Sequence, residues 1–117
     1  MARILLVEDE DAILRILTTF LSKHGHVVFP FCDGEPALEA LRGEDVDLII
    51  TDLSMPTPGE EVIRLARLQD FNGPIVVMSG TLSTEDASDC EVIGADMTLK
   101  KPFALDELTQ LVDTLVV

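Results

Sequence analysis

Five short apolar runs, each followed by a segment with apolar residues at helical spacing, constrain this chain more than any other feature. The runs are Ile4-Leu5-Leu6-Val7, Val27 to Phe31, Val46 to Thr51, Ile75 to Met78 and Met97 to Leu99. Runs this short and β-branched read as buried strands of a parallel sheet. Between the first two, Asp11 to His24 carries Ile13, Leu14, Leu17, Phe20 and Leu21 at helical spacing, and Gly25 stops the helix. Asp33-Gly34 turns the chain into a second helix holding Ala37, Leu38 and Leu41, and Val62, Ile63, Leu65, Ala66 and Leu68 mark a third. Thr84 to Ile93 is a weaker helical pattern ended by Gly94, and Ala104 to Val116 is the last helix. Pro30 cannot donate to a ladder and marks the second run as an edge strand. Strands and helices in strict alternation imply right-handed crossovers and a parallel sheet covered on both faces, an α/β class fold.

A chain of 117 residues is one domain of this kind, long enough for a real core. No apolar run approaches a membrane span and no signal-peptide pattern opens the chain, so the expectation is a cytoplasmic protein with no membrane contact. With 22 acidic against 8 basic residues the formal charge is −14, which argues against nucleic acid as a partner. It fits a protein that meets basic surfaces and collects divalent cations, and it also keeps a small domain soluble. Cys32 and Cys90 form no motif and are expected to pack as small buried apolar groups.

Chemistry enters at the carboxyl ends of the runs. Glu8-Asp9 follow the first, Asp52 follows the third, and Lys101 lies just beyond the fifth, immediately before Pro102. In open α/β sheets these ends share one edge, where ligands bind. Three carboxylates in one small pocket repel each other unless a cation joins them, and a hard divalent ion such as Mg²⁺ does so through oxygen ligands. A lysine adds a point charge suited to phosphate. A carboxylate nucleophile, a metal and a phosphate-binding ammonium together point to phosphoryl transfer onto an aspartate. Taken singly, Asp52 also suits the start of a turn, and Glu8 and Asp9 suit capping of the next helix, a role for which Glu10 and Asp11 are better placed.

Four groups stand in order along the chain: Leu6-Val7-Glu8-Asp9, Thr51-Asp52-Leu53-Ser54-Met55-Pro56, Val77-Met78-Ser79-Gly80 and Lys101-Pro102-Phe103. In these the chain resembles the receiver domain of bacterial two-component response regulators, of the single-domain chemotaxis type, from Arg3 to about Val116. The resemblance implies a doubly wound, flavodoxin-like fold with a five-stranded parallel sheet in the order 2-1-3-4-5. It implies Asp52 as phosphoacceptor and Mg²⁺ as cofactor. The metal ligands would be Asp9, Asp52, the backbone carbonyl of Ser54, and Glu8 directly or through water. Ser79 would donate its hydroxyl to a phosphoryl oxygen. Lys101, after a family-typical cis bond to Pro102, would pair with the phosphoryl group, leaving Lys100 to point the other way into solvent. The implied partners are a histidine kinase or histidine phosphotransfer protein and a downstream protein target, met on the face of the fourth predicted helix, the last strand and the last helix.

Three departures bear on the switch. Thr98 stands where the family usually has an aromatic residue, the loop Met55-Pro56-Thr57-Pro58-Gly59 is one residue short and lacks the usual Asp before its glycine, and Gly80 replaces the commoner alanine. The expected function is a phosphorylation-dependent signalling switch over residues 1–117, not an enzyme with a separate substrate, though it assists its own phosphorylation and dephosphorylation. The start at Met1 favours a stand-alone protein or an N-terminal domain, and with no output domain after Val117 the signal would leave by protein contact. Two alternatives are a receiver excised from a larger regulator or hybrid histidine kinase, and a metal-dependent phosphatase with an aspartyl-phosphate intermediate. The latter commonly carries a second acid where this chain has Ser54.

Overall fold

All five expected strands pair in parallel in one sheet, in the order β2-β1-β3-β4-β5. The computed structural model describes residues 1–53, 55–80 and 94–116. In chain order the elements are β1 (Arg3–Val7), α1 (Asp11–Lys23), β2 (Val27–Phe31), α2 (Gly34–Gly43), β3 (Leu48–Asp52), α3 (Gly59–Leu68), β4 (Ile75–Ser79), β5 (Met97–Lys100) and α4 (Leu105–Leu115). The helical pattern from Thr84 to Ile93 lies outside the described residues. The doubly wound, flavodoxin-like order expected from the sequence is the order observed.

Period two along each strand splits the core into two layers. Ile4, Leu6, Leu48, Ile50, Val76, Met78 and Leu99 face α1 and α4, which contribute Leu14, Leu17, Leu21, Leu108 and Val112. The alternate set, Leu5, Val7, Ile49, Ile75 and Val77, faces α2 and α3 through Ala37, Leu38, Val62, Ile63 and Ala66. Strands β3 and β4 are buried along their whole length, so they read as continuous apolar runs rather than alternating ones. Edge strand β2 is only partly buried, and Pro30 sits there opposite Leu6 with its ring in solvent.

Boundaries shift where side chains compete with the ladder. The third strand begins at Leu48 rather than Val46, after Asp47 has used its carboxylate to accept the Arg3 N–H at 2.8 Å. Helix α1 ends where expected, with Gly25 at φ +87°, a left-handed conformation that glycine adopts without a steric cost. Cys32 is exposed, contrary to the expectation of burial. It lies one residue past the end of the edge strand, where the chain is turning into α2 and no layer covers it. Cys90 lies outside the described residues. No helix among the described residues is long and apolar enough to cross a membrane.

Candidate functional site

The alternation that builds the core also aims the polar residues at its end. Glu8 follows Val7 and continues the Ile4, Leu6 face of β1, while Asp52 closes β3 on the same face as Leu48 and Ile50. One residue beyond β5, Lys101 continues the face of Leu99. These three side chains therefore converge at the carboxyl edge of the sheet, above the layer covered by α1 and α4.

Carboxylate oxygens of Glu8, Asp9 and Asp52 all lie within 4.8 Å of one another. Glu8 is fully buried, Asp52 nearly so, and Asp9 is exposed at the mouth of the cluster. The Lys101 ammonium donates a short hydrogen bond to Glu8 Oε1 and lies 3.6 Å from Asp52 Oδ2. Glu8 Oε2 accepts the Glu10 N–H at 3.3 Å, and Asp52 Oδ1 accepts the Leu53 N–H at 2.9 Å. Burial alone would lower the affinity of Lys101 for its proton. The hydrogen bond to Glu8 and the charges of Asp52, Glu8 and Glu10 outweigh it and hold the ammonium above its ordinary pKa.

Three carboxylates against one ammonium give a formal charge of −2 (3 negative, 1 positive) in a pocket closed from below by the core. That donor set suits a hard divalent cation: it is all oxygen, anionic, and open to solvent on the Asp9 side. The backbone carbonyl of Ser54, the remaining expected ligand, lies outside the described residues.

Ser79 ends β4, beside Asp52 in the neighbouring strand, and is buried; its carbonyl accepts the Lys101 N–H at 2.9 Å. The Lys101–Pro102 peptide bond is cis, and Lys100 is exposed, both as expected. Among the described residues, a Cβ at Gly80 would meet only Lys101 Cβ, at 4.0 Å. Thr98 is half-buried in β5, opposite Val77.

Two features were not anticipated. The sequence pairs Lys101 with a phosphate, whereas here it already serves two carboxylates; only the face parity of Glu8 and Lys101 hints at that. Asp33 was read as a turn residue, yet its carboxylate reaches Thr57, in the loop that follows Asp52.

Comparison with known proteins agrees with this geometry. Residues 4–113 match the family model described as the response regulator receiver domain. The chain is similar to the cell cycle response regulator CtrA of Brucella ovis, with 34% identity over 115 residues, which is 97% of this chain and 50% of the relative. It thus spans about half the length of the curated relatives it matches. Among solved structures, the receiver domain of the Francisella response regulator 1452 superposes with a TM-score of 0.93 at 29% identity, covering 99% of this chain and 97% of the other. The response regulator TrrA of Thermotoga maritima, solved in complex with Mg²⁺ and BeF, has a TM-score of 0.87 at 32% identity, with 98% and 99% covered.

Proposed function

The chain belongs to the family of response regulator receiver domains, and on that premise we propose that residues 1–117 form one cytoplasmic receiver that accepts a phosphoryl group on Asp52 with Mg²⁺ as cofactor. The donor is the phosphohistidine of a histidine kinase or phosphotransfer protein. An Asp52 carboxylate oxygen attacks phosphorus in line, the P–N bond breaks, and the imidazole leaves with its electron pair. The observation that carries this reading is the convergence of Glu8, Asp9 and Asp52 within 4.8 Å, with Lys101 Nζ 3.6 Å from the Asp52 carboxylate.

Asp9, Asp52, Glu8 directly or through water, and the Ser54 carbonyl would hold Mg²⁺, whose charge offsets carboxylate repulsion and the charge on the phosphoryl oxygens. Because both Glu8 oxygens already accept hydrogen bonds, the exposed Asp9 is the carboxylate most available to a cation. Lys101 keeps its proton and offers a fixed positive charge next to Asp52. Leu53 N–H holds one oxygen of Asp52, which orients the carboxylate before attack. The Ser79 hydroxyl donates to a phosphoryl oxygen and is the moving part of the switch, since Thr98 lacks the volume of an aromatic ring. The output is altered affinity for a protein target on the face that includes β5 and α4. Hydrolysis of the acyl phosphate, assisted by the same pocket, resets the state.

Acetyl phosphate with Mg²⁺ is expected to raise the intact mass by one phosphoryl group, and Asp52→Asn to abolish the rise, because an amide is a poor nucleophile. Labelling that persists unchanged in Asp52→Asn sinks the assignment.

A further inference from the structure

Asp33 sits outside the acidic cluster, at the turn from β2 into α2, and occupies the N-cap position of α2 without making a side-chain capping bond. Its carboxylate is spent elsewhere. Oδ1 accepts the Thr57 N–H at 2.9 Å and Oδ2 accepts the Thr57 hydroxyl at 3.1 Å. The Thr57 amide, opposed by burial and helped by the Gly34 amide and the Thr57 hydroxyl, holds the Asp33 carboxyl below its ordinary pKa of 3.8. The group is therefore an anion at neutral pH, and charge-assisted bonds of this kind are among the stronger ones.

From Thr57 the chain runs through Pro58 to Gly59, and both of those positions are fixed. Gly59 N–H donates to Leu53 O at 3.0 Å, closing the loop onto the residue next to Asp52. A Cβ at Gly59 would collide with the Asp52 carbonyl oxygen and crowd Leu53 Cα, so the two ends of the loop are in direct contact. Leu53 N–H in turn donates to Asp52 Oδ1 at 2.9 Å and to Met78 O at 3.1 Å. On the other side, a Cβ at Gly34 would strike the Val62 side chain and press on Thr57 Cγ2 at 3.1 Å, so the start of α2 is seated against the same loop. A continuous path of short contacts thus runs from Asp33 to the carboxylate of Asp52.

We propose that Asp33 is a positioning residue for Asp52: by clamping Thr57 it holds the shortened loop in the one arrangement that presents the Leu53 N–H to the Asp52 carboxylate. The anchor comes from a different element, the turn between β2 and α2. The role rests on the reading of Asp52 as phosphoacceptor, since a carboxylate that never reacts needs no fixed rotamer. Small misplacements of a reacting group are costly in rate, which gives such a clamp a function beyond stability.

Two readouts on wild type, Asp33→Ala, Asp33→Asn and Thr57→Val test this, the first of them independent of phosphorylation. Amide hydrogen exchange by NMR is expected to accelerate at Thr57, Gly59 and Leu53 in Asp33→Ala while β1 amides keep their rates, because only the local opening is eased. Labelling by acetyl phosphate is expected to slow about tenfold at saturating donor, with the dependence on donor concentration unchanged. Asp33→Asn keeps an acceptor for the Thr57 N–H and offers its NH₂ to the Thr57 hydroxyl, so it is expected to restore both readouts nearly to wild type. Thr57→Val, which loses only the hydroxyl contact, moves both in the same direction by less. Unchanged exchange at Gly59 and Leu53 in Asp33→Ala overturns the clamp, whether or not Asp52 takes phosphate. Accelerated exchange with an unchanged labelling rate overturns the positioning role and leaves a structural one. A wild type that is never labelled on Asp52 refutes the functional reading instead, and the exchange result still stands by itself.

Discussion

Glu8 is fully buried, and its charge is tolerable there because each carboxylate oxygen has a donor, Lys101 Nζ on one side and the Glu10 N–H on the other. Removing one partner of such a pair leaves an uncompensated charge in the interior, which costs more than the pair contributes relative to an apolar substitute. Lys101→Met is therefore expected to lower unfolding free energy in chelator by about 3 kcal/mol. Adding Glu8→Gln to Lys101→Met removes the stranded charge and is expected to recover most of that loss. Urea unfolding of the wild type, the single variant and the double variant measures both. A double variant no more stable than Lys101→Met alone means that the ammonium acts on other carboxylates than Glu8. The lysine thus sustains a buried acid, a task that its position before Pro102 did not reveal, beside the proposed one of offering charge to a phosphoryl group. Motif spacing pointed to the second, proposed task, because that depends on which edge of the sheet the residue occupies. The first depends on how deep Glu8 lies, and depth is a property of packing.

Between elements, Arg67 of α3 joins several segments of the chain. Its guanidinium donates to the carbonyls of Phe71 at 2.8 Å, Gly73 at 2.7 Å and Gly94 at 2.7 Å, and to the Asp96 carboxylate at 3.0 Å. Asp96 Oδ2 also accepts the Ile75 N–H at 2.8 Å. The end of α3 and the starts of β4 and β5 are thereby joined at the edge of the sheet opposite the acidic cluster. Gly94 allows the close approach: its φ of +115° excludes most side chains, and a Cβ there would lie 3.0 Å from Arg67 Cγ. Arg67→Met keeps the apolar stem but leaves several carbonyls without donors, at an expected cost of about 3 kcal/mol. Arg67→Lys is expected to recover little of it, since one ammonium cannot reproduce a planar fork. Guanidinium chloride midpoints test both, and a full recovery by lysine shows that charge rather than fork geometry matters. Little of this was legible beforehand. The elements themselves were, because periods of two and 3.6 residues are local and the glycines that stop helices act locally. Arg67 and Asp96 stand 29 positions apart, as do no residues in any spacing rule. Asp33 was hidden for the same reason: its partner Thr57 lies 24 positions away, and an Asp before a Gly has an adequate local explanation as a turn. Cys32 failed in the opposite direction, since the usual burial of cysteine yields to its position at the end of an edge strand.

At the scale of the molecule, a formal charge of −14 is held within a radius of gyration of 12.7 Å. Self-repulsion of that charge opposes the compact state, and any salt relieves part of it by screening. The acidic cluster adds a second, local strain on top of the diffuse one, and only a cation that enters the cluster relieves it. The two are separable by comparing Mg²⁺ with NaCl at equal ionic strength. A ligand that binds only the folded state stabilises it by RT ln(1 + [L]/Kd), about 1.4 kcal/mol at tenfold Kd, which for a domain of this size raises Tm by about 5 °C. Mg²⁺ is therefore expected to raise the wild-type Tm beyond the effect of matched NaCl. Asp9→Asn is expected to abolish that excess while leaving the common salt response intact, because the exposed Asp9 is the carboxylate at the mouth of the cluster. In chelator the same variant is expected to be at least as stable as the wild type, since it loses a like charge beside Asp52 and Glu8. Differential scanning calorimetry of the two proteins in three buffers reads all of these at once. A wild type that responds equally to Mg²⁺ and NaCl removes the local site and leaves only the diffuse field. An Asp9→Asn protein that melts below the wild type in chelator shows that Asp9 holds the fold together rather than straining it.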